Sequence, residues 1–215
     1  MTKQKDTTKK IQFFSEETRR LYQLYGDPPT LKISGVPMHR HVRMTPLQDT
    51  ETKIKAAVPK GKVLDTCTGL GYTAIYSSRI PQVRQVITVE RDPNVLEMAR
   101  INPYSKELFG NGRIEINNGD TLEVIRSFND HEFDTIIHDP PTFSIAPDLY
   151  TLKFHQQLFR VLKKGGRLWH YAPEPGKMIM QQGSKLKERI LKQLKEVGFI
   201  NVRLDENSSG IIAEK

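Results

Sequence analysis

The feature that most constrains this chain is the stretch VLDTCTGLGYTAI, Val63 to Ile75, where an apolar run ending in Asp65 passes through a glycine turn straight into a helical pattern. A strand that stops at an acid, a turn needing backbone freedom at Gly69 and Gly71, and a helix starting near Tyr72 together aim unpaired backbone N–H groups at one point in space. Glycine also lets a ligand approach the main chain closely, so the turn reads as a nucleotide-binding element.

The rest of the chain supplies a matching frame. Strands are expected near 62–66, 85–90, 112–117, 133–138 and 166–172 with helices between them, then a helix over about 184–197 and a closing pair, FINVRL and GIIAE, whose second strand inserts beside the fifth. Such alternation predicts an α/β fold, a doubly wound and mostly parallel sheet covered on both faces, with ligands at the strand C-terminal ends. Ahead of it, residues 1–10 are polar and expected to be disordered, and Ser15 is positioned to cap a short helix through about Tyr25. After the breaker Gly26-Asp27-Pro28-Pro29, residues 31–44 alternate around a Gly-Val-Pro turn and suggest a small hairpin or a pair of extended segments. Thr45-Pro46 opens a helix to about Val58, with Asp49 in its first turn. The expected organisation is an N-terminal extension, 1–44, and one domain, 45–215; 215 residues suffice for one α/β domain with a sizeable core.

Two nucleotide cofactors fit the turn. Read as GLGYTA, Gly69 to Ala74, it satisfies the dinucleotide fingerprint, and Glu90, at the end of the second strand, stands where a ribose-binding carboxylate belongs. Asp65 argues against a dinucleotide, because its charge sits badly beside a pyrophosphate and well beside a cationic amino group. S-adenosylmethionine carries such a group and no phosphate. At this point the chain resembles the class I S-adenosylmethionine-dependent methyltransferases from about Thr45 onward, with Cys67 standing where that family most often has its first glycine. The resemblance implies a seven-stranded sheet, a methionine-binding turn over Asp65, Thr66, Cys67, Thr68, Gly69, Gly71 and Tyr72, a ribose ligand at Glu90 followed by Arg91, and Asp120 with Thr121 beside the adenine. It also places Asp139 facing the transferred methyl group.

FDTIIHDPPTF, Phe133 to Phe143, is the second signal. Its acid, two prolines and aromatic at a strand end are similar to the motif of methyltransferases that act on exocyclic amines of nucleobases. An exocyclic amine is a weak nucleophile because its lone pair is delocalised. The resemblance therefore implies that Asp139 and the Pro140 carbonyl hold the amine protons, that Pro141 stiffens the loop, and that Phe143 stacks on the base.

Charge bears on the substrate. Residues 1–60 carry 12 Lys and Arg against 6 Asp and Glu, residues 61–150 carry 8 against 13, and residues 151–215 carry 13 against 6. Basic flanks around an acidic centre suit a phosphate backbone or, equally, form a solvated lysine surface; with the amine motif they make RNA the favoured substrate, DNA the second, and a small-molecule transferase of the same fold, including a polyamine aminopropyltransferase, the alternative. His39, Arg40, Arg43 and His41 are read as a basic face near the site, with Tyr171 on its rim, and His39 and His41 without Cys or carboxylate partners are not read as metal ligands. Cys67 as the single cysteine suits a reducing cytoplasm and disfavours methylation of a pyrimidine ring carbon. No apolar run approaches the ~18 residues of a membrane span, and no signal peptide is expected.

Overall fold

The computed structural model describes residues 11–172 and 180–215. Four short antiparallel strands come first, β1 (Gln12–Ser15), β2 (Arg20–Tyr25), β3 (Thr30–Ile33) and β4 (Val36–Pro37), in the order β1-β2-β3-β4. The helix expected over 15–25 is therefore absent. Ser15 closes a turn instead of opening a helix, its Oγ accepting the Thr18 N–H at 3.3 Å. The run that follows has a period of two: Tyr22 and Leu24 are buried while Leu21 and Tyr25 are exposed, which only a strand with one covered face satisfies. The hairpin expected within 31–44 forms, although its second arm is only Val36–Pro37.

Helix α1 (Pro46–Ala57) begins at Thr45 with a reciprocal cap, Thr45 Oγ1 accepting from Gln48 N and Gln48 Oε1 from Thr45 N. The alternation then runs β5 (Gly61–Asp65), α2 (Tyr72–Ser78), β6 (Val83–Glu90), α3 (Pro93–Ile101), α4 (Lys106–Gly110), β7 (Ile114–Asn118), α5 (Thr121–Ser127) and β8 (Phe133–His138). It ends with α6 (Leu152–Val161), β9 (Leu162–Tyr171), α7 (Met180–Val197), β10 (Ile200–Asp205) and β11 (Gly210–Glu214). The second sheet has seven strands in the order β10-β11-β9-β8-β5-β6-β7. β9, β8, β5, β6 and β7 pair in parallel, and β11 lies antiparallel to β9 as the sequence led us to expect.

β5 is the switch point, since the chain runs from it to β6 on one side and later returns to β8 on the other. In doubly wound sheets the crevice for ligands opens beyond the C-terminal ends of the strands on either side of that reversal. One apolar core fills each face of the sheet. Tyr22, Leu24 and Leu31 of the first sheet join the same cluster as Val63, Leu70 and Val95, and the Tyr22 hydroxyl donates to Asp92 Oδ2 at 2.6 Å. Strands β2 and β3 are thus packed onto the switch-point crevice rather than hung from it.

Candidate active site

Asp65 ends β5 fully buried. Its Oδ2 accepts from the Thr88 hydroxyl at 2.8 Å and the Thr73 hydroxyl at 3.1 Å, whereas its Oδ1 is buried with no hydrogen-bond partner among the described residues. Burial pushes this carboxyl up to about 7. A buried oxygen without a donor costs free energy unless something arrives to satisfy it.

Gly69 and Gly71 both take positive φ, +55° and +77°, and so turn the chain from β5 into α2 at low steric cost. They differ in surroundings. A Cβ on Gly69 would meet nothing within 4 Å, while one on Gly71 would lie 2.6 Å from Leu108 Cδ2. The first glycine looks into a cleft and the second is packed. Gly69 N–H donates to Glu90 Oε2 at 3.0 Å and Asp92 N–H to Glu90 Oε1 at 3.1 Å. Burial pushes the Glu90 carboxyl up to about 7 as well.

The cleft has two lobes. One is lined by Cys67, Thr68, Gly69, Tyr72, Glu90 and Asp139, with Leu31, Met38 and His39 over it. The other is bounded by Thr66, Cys67, Glu90, Arg91, Asp120 and Thr121, with apolar walls from Val89, Leu122 and Ile145. Asp120 caps α5 through the Leu122 N–H at 2.9 Å, its other oxygen 3.8 Å from Arg91, and the Thr121 hydroxyl donates to the Thr66 carbonyl at 2.6 Å. Asp65 lies behind the first lobe, bonded to Thr73 of its wall, and Gly71 is packed on Leu108; the other residues that the sequence assigned to the cofactor line one lobe or the other. An acid with an orphan oxygen, an open glycine backbone, a half-buried second carboxylate and an apolar slot fit the parts of S-adenosylmethionine: ammonium, main-chain approach, ribose diol and adenine.

A second pocket adjoins the first across Asp139, Pro140 and Pro141, which line both. Asp139 follows β8 with 18% of its side chain exposed, and its Oδ2 accepts from Lys53 Nζ at 2.6 Å. Lys53 Nζ also lies 2.9 Å from Asp49 Oδ2, and Asp49 Oδ1 is bound by Arg40 Nε. Arg40 is fixed further by Ser209 Oγ, Thr52 Oγ1 and the Asn207 carbonyl. Burial raises the Asp139 carboxyl above its ordinary value, and Lys53 opposes that rise. The Tyr171 ring completes the wall 5.9 Å from Lys53 Nζ, its phenol pushed up to about 12 by burial.

Neither Lys53 nor Asp49 was singled out for the site from the sequence. The signal was present: Thr50, Lys53, Ile54 and Ala57 fall on one face of α1 and are all buried, so Lys53 stands on an apolar stripe where an unpaired lysine does not belong.

The basic face expected at 39–43 does not form as such. Arg40 turns inward to Asp49, where its charge is spent on a buried carboxylate. The His39 ring bonds to the Thr30 hydroxyl at 3.0 Å and lies 5.2 Å from the Tyr72 ring, and burial drives it down to about 3, which leaves it neutral. His41 approaches the His39 carbonyl at 3.2 Å, and Arg43 alone is exposed. His138 is a core histidine, one ring nitrogen on the Thr66 hydroxyl at 2.7 Å and the other on the Leu149 carbonyl at 2.9 Å. Phe143, expected to stack on the base, lines neither the cleft nor the second pocket: it is 37% exposed, with the Arg189 guanidinium 4.7 Å from its ring centre and Tyr150 edge-on at 5.7 Å. Residues 173–176, which follow β9, and Lys177 lie outside the described residues. Lys163 lies at the opposite end of β9, bound to Asp134 at 2.8 Å. No helix among the described residues is long and apolar enough to cross a membrane.

Residues 50–196 match the methyltransferase small domain family, and the chain belongs to that family. It is 52% identical over 190 residues to the uncharacterized protein MJ1233 of Methanocaldococcus jannaschii, covering 87% of this chain and 64% of that protein, so it spans about two thirds of its relative's length. Polyamine aminopropyltransferase 2 of Streptomyces coelicolor is 31% identical over 116 residues, 51% of this chain and 21% of that enzyme. Among solved structures, spermidine synthase from Thermotoga maritima superposes with a TM-score of 0.70 at 21% identity, covering 95% of this chain, the N-terminal sheet included, and 71% of that one.

Proposed function

We propose that the protein is an S-adenosylmethionine-dependent methyltransferase whose acceptor is an exocyclic amine of an RNA base, with DNA as the second nucleic acid. One observation carries this reading: Asp139, Pro140 and Pro141 form the wall shared by the cofactor cleft and the pocket next to it. An acceptor nitrogen held there faces the cofactor and an acceptor carboxylate at once.

Asp65 would receive the cofactor's ammonium on its free Oδ1, and Glu90 its ribose hydroxyls in exchange for, or beside, the two backbone N–H groups it now holds. Bound in this cleft, S-adenosylmethionine supplies an electrophilic methyl group. The chain's own residues do the rest. Asp139 would accept a hydrogen bond from the amine and orient its lone pair, Pro140 and Pro141 would hold the loop rigid, and the exposed Phe143 with Arg189 would offer a cationic aromatic surface outside the pocket for the nucleic acid. On transfer the nitrogen would exchange one N–H for the new N–C bond, and Asp139 or water would take up the released proton.

Transfer of an aminopropyl group from the decarboxylated cofactor is the second reading. What favours it is the kinship with the Streptomyces enzyme and the superposition over the N-terminal sheet. The experiment that separates the two is transfer of labelled methyl from S-adenosylmethionine into RNA, DNA and a small-molecule extract, run beside transfer of labelled aminopropyl into the same three. Methyl label in RNA supports the first reading. Aminopropyl label in small amines replaces it with the second.

A further inference from the structure

We infer that Lys53 sets the charge of the acceptor: the pocket beyond Asp139 takes an uncharged nitrogen and turns away ammonium-bearing amines. This rests on the reading that the second pocket is where the acceptor binds, and it does not depend on whether that acceptor is RNA.

The argument is one of compensation. Among the described residues the pocket holds two carboxylates, Asp49 and Asp139, and two cations, Arg40 and Lys53, joined in one chain of contacts from Arg40 through Asp49 and Lys53 to Asp139. Lys53 is buried, with 4% of its side chain exposed, and lies 5.6 Å from the Trp169 ring and 5.9 Å from that of Tyr171. A lysine is held this deep only when its charge is paired, and here both its partners are carboxylates.

The cofactor side is built the opposite way. Asp65 is also a buried carboxylate and Glu90 a half-buried one, yet among the described residues neither has a Lys, Arg or His within ion-pair distance. Their polar contacts are hydroxyls and backbone N–H groups. One lobe thus awaits a cation and the other already contains its own.

A protonated amine entering the second pocket would meet the Lys53 ammonium at the carboxylate it needs, with no second unpaired acid among the described lining residues to receive it. Its nitrogen must also lose a proton before it has a lone pair to share. Asp139 is the nearest base, and Lys53 lowers the basicity that burial gives it. A neutral exocyclic amine or amide has no such requirement, because its lone pair is already free of a proton and its N–H groups need only an acceptor.

The test is equilibrium binding of 1,4-diaminobutane to the full chain saturated with S-adenosylhomocysteine, measured by calorimetry in low salt. The wild type is expected to give no saturable heat. Lys53→Met, which leaves Asp139 uncompensated, is expected to bind the diamine at least about tenfold more tightly. Lys53→Arg is expected to behave as wild type, and Lys53→Met combined with Asp139→Asn to lose the gain. Wild-type binding as tight as that of Lys53→Met, or a gain that survives in the double variant, overturns the inference. Should Lys53→Met not fold, the wild type decides: saturable diamine binding that Asp139→Asn abolishes refutes the idea, and its absence sustains it. Methyl label found only in an uncharged small molecule would remove RNA as the acceptor and leave the role of Lys53 standing.

Discussion

The two glycines of the turn make a paired prediction, because the structure gives them the same backbone and different neighbours. Gly69→Ala places a methyl in open space at φ +55°. Its cost to folding is the left-handed conformation alone, about 1–2 kcal/mol. Gly71→Ala carries the same backbone cost at φ +77°, and its methyl also arrives 2.6 Å from Leu108 Cδ2 and 2.8 Å from Leu108 Cδ1. Leu108 is 1% exposed and has nowhere to retreat, so an overpacking term of about 1–3 kcal/mol adds to the strain. Urea denaturation should give a loss of about 1–2 kcal/mol for the first variant and about 2–5 kcal/mol for the second, the latter lowering Tm by roughly 4–20 °C for a chain of this size. Calorimetric titration with S-adenosylmethionine should rank them in reverse. The Gly69 methyl projects into the cleft where the cofactor's methionine arm would lie, and a cofactor affinity at least about tenfold weaker is expected. Among folded molecules of the Gly71 variant the cleft lining is untouched, and affinity should stay closer to wild type. Equal cofactor binding by Gly69→Ala and wild type would mean that no ligand approaches the turn, and the assignment of the cleft would fall.

Asp139→Asn keeps the shape and one hydrogen-bond acceptor but loses the charge facing Lys53; transfer should fall by at least about a hundredfold in kcat while cofactor affinity stays within about tenfold, and full turnover in a labelled-methyl assay would exclude the amine-holding role. Asp65 predicts a pH dependence whose sign is fixed by burial. Its carboxyl sits at about 7 in the folded protein against an ordinary 3.8, so the folded state binds the extra proton and the contribution to stability, present at low pH, is lost as pH rises from about 4 to 7. The stability of wild type relative to Asp65→Asn should therefore decline across that window by up to about 4 kcal/mol in urea titrations, and a flat difference would show that the carboxyl titrates normally. Tyr22→Phe removes the 2.6 Å bond to Asp92 that ties β2 to the start of α3; a loss of about 1.5–3 kcal/mol is expected in thermal unfolding, and no loss would mean the tie is already broken in solution.

Much of this candidate site was legible because its residues stand at the boundaries of regular elements. Asp65 to Tyr72, Glu90, Asp120 and Asp139 each end a strand or open a helix of a regularly alternating chain, so period and punctuation place them at one edge of the sheet. What was not legible depends on contacts between distant segments. Arg40 looked like surface charge because its partner lies 9 residues on and its further ligands, Ser209 and Asn207, lie 169 and 167 residues away. The N-terminal strands were misread for a different reason. Ser15-Glu16-Glu17 has the composition of a helix start, and only the alternating burial of Tyr22 and Leu24 against the crevice shows that tertiary packing overrode it.

That packing explains why the chain places a small antiparallel sheet at this spot. An open doubly wound sheet leaves its switch-point crevice exposed on one side, and a cofactor lying there would be half in water. Here Leu31, Met38 and His39 lie over the cleft, and the Tyr72 hydroxyl, at the first turn of α2, donates to the Pro29 carbonyl at 2.8 Å, which pins the roof to the floor. The segment after β4 then carries Arg40 down to Asp49, so the element that roofs the cofactor also delivers one of the two cations that neutralise the pocket beyond it. Roof and charge balance meet in one short stretch, His39-Arg40: His39 lines both the cleft and the second pocket, and Arg40 lines the second. A cofactor bound in the cleft would lie beneath this roof, so the backbone that covers it also places the charge that reaches Asp139 through Asp49 and Lys53.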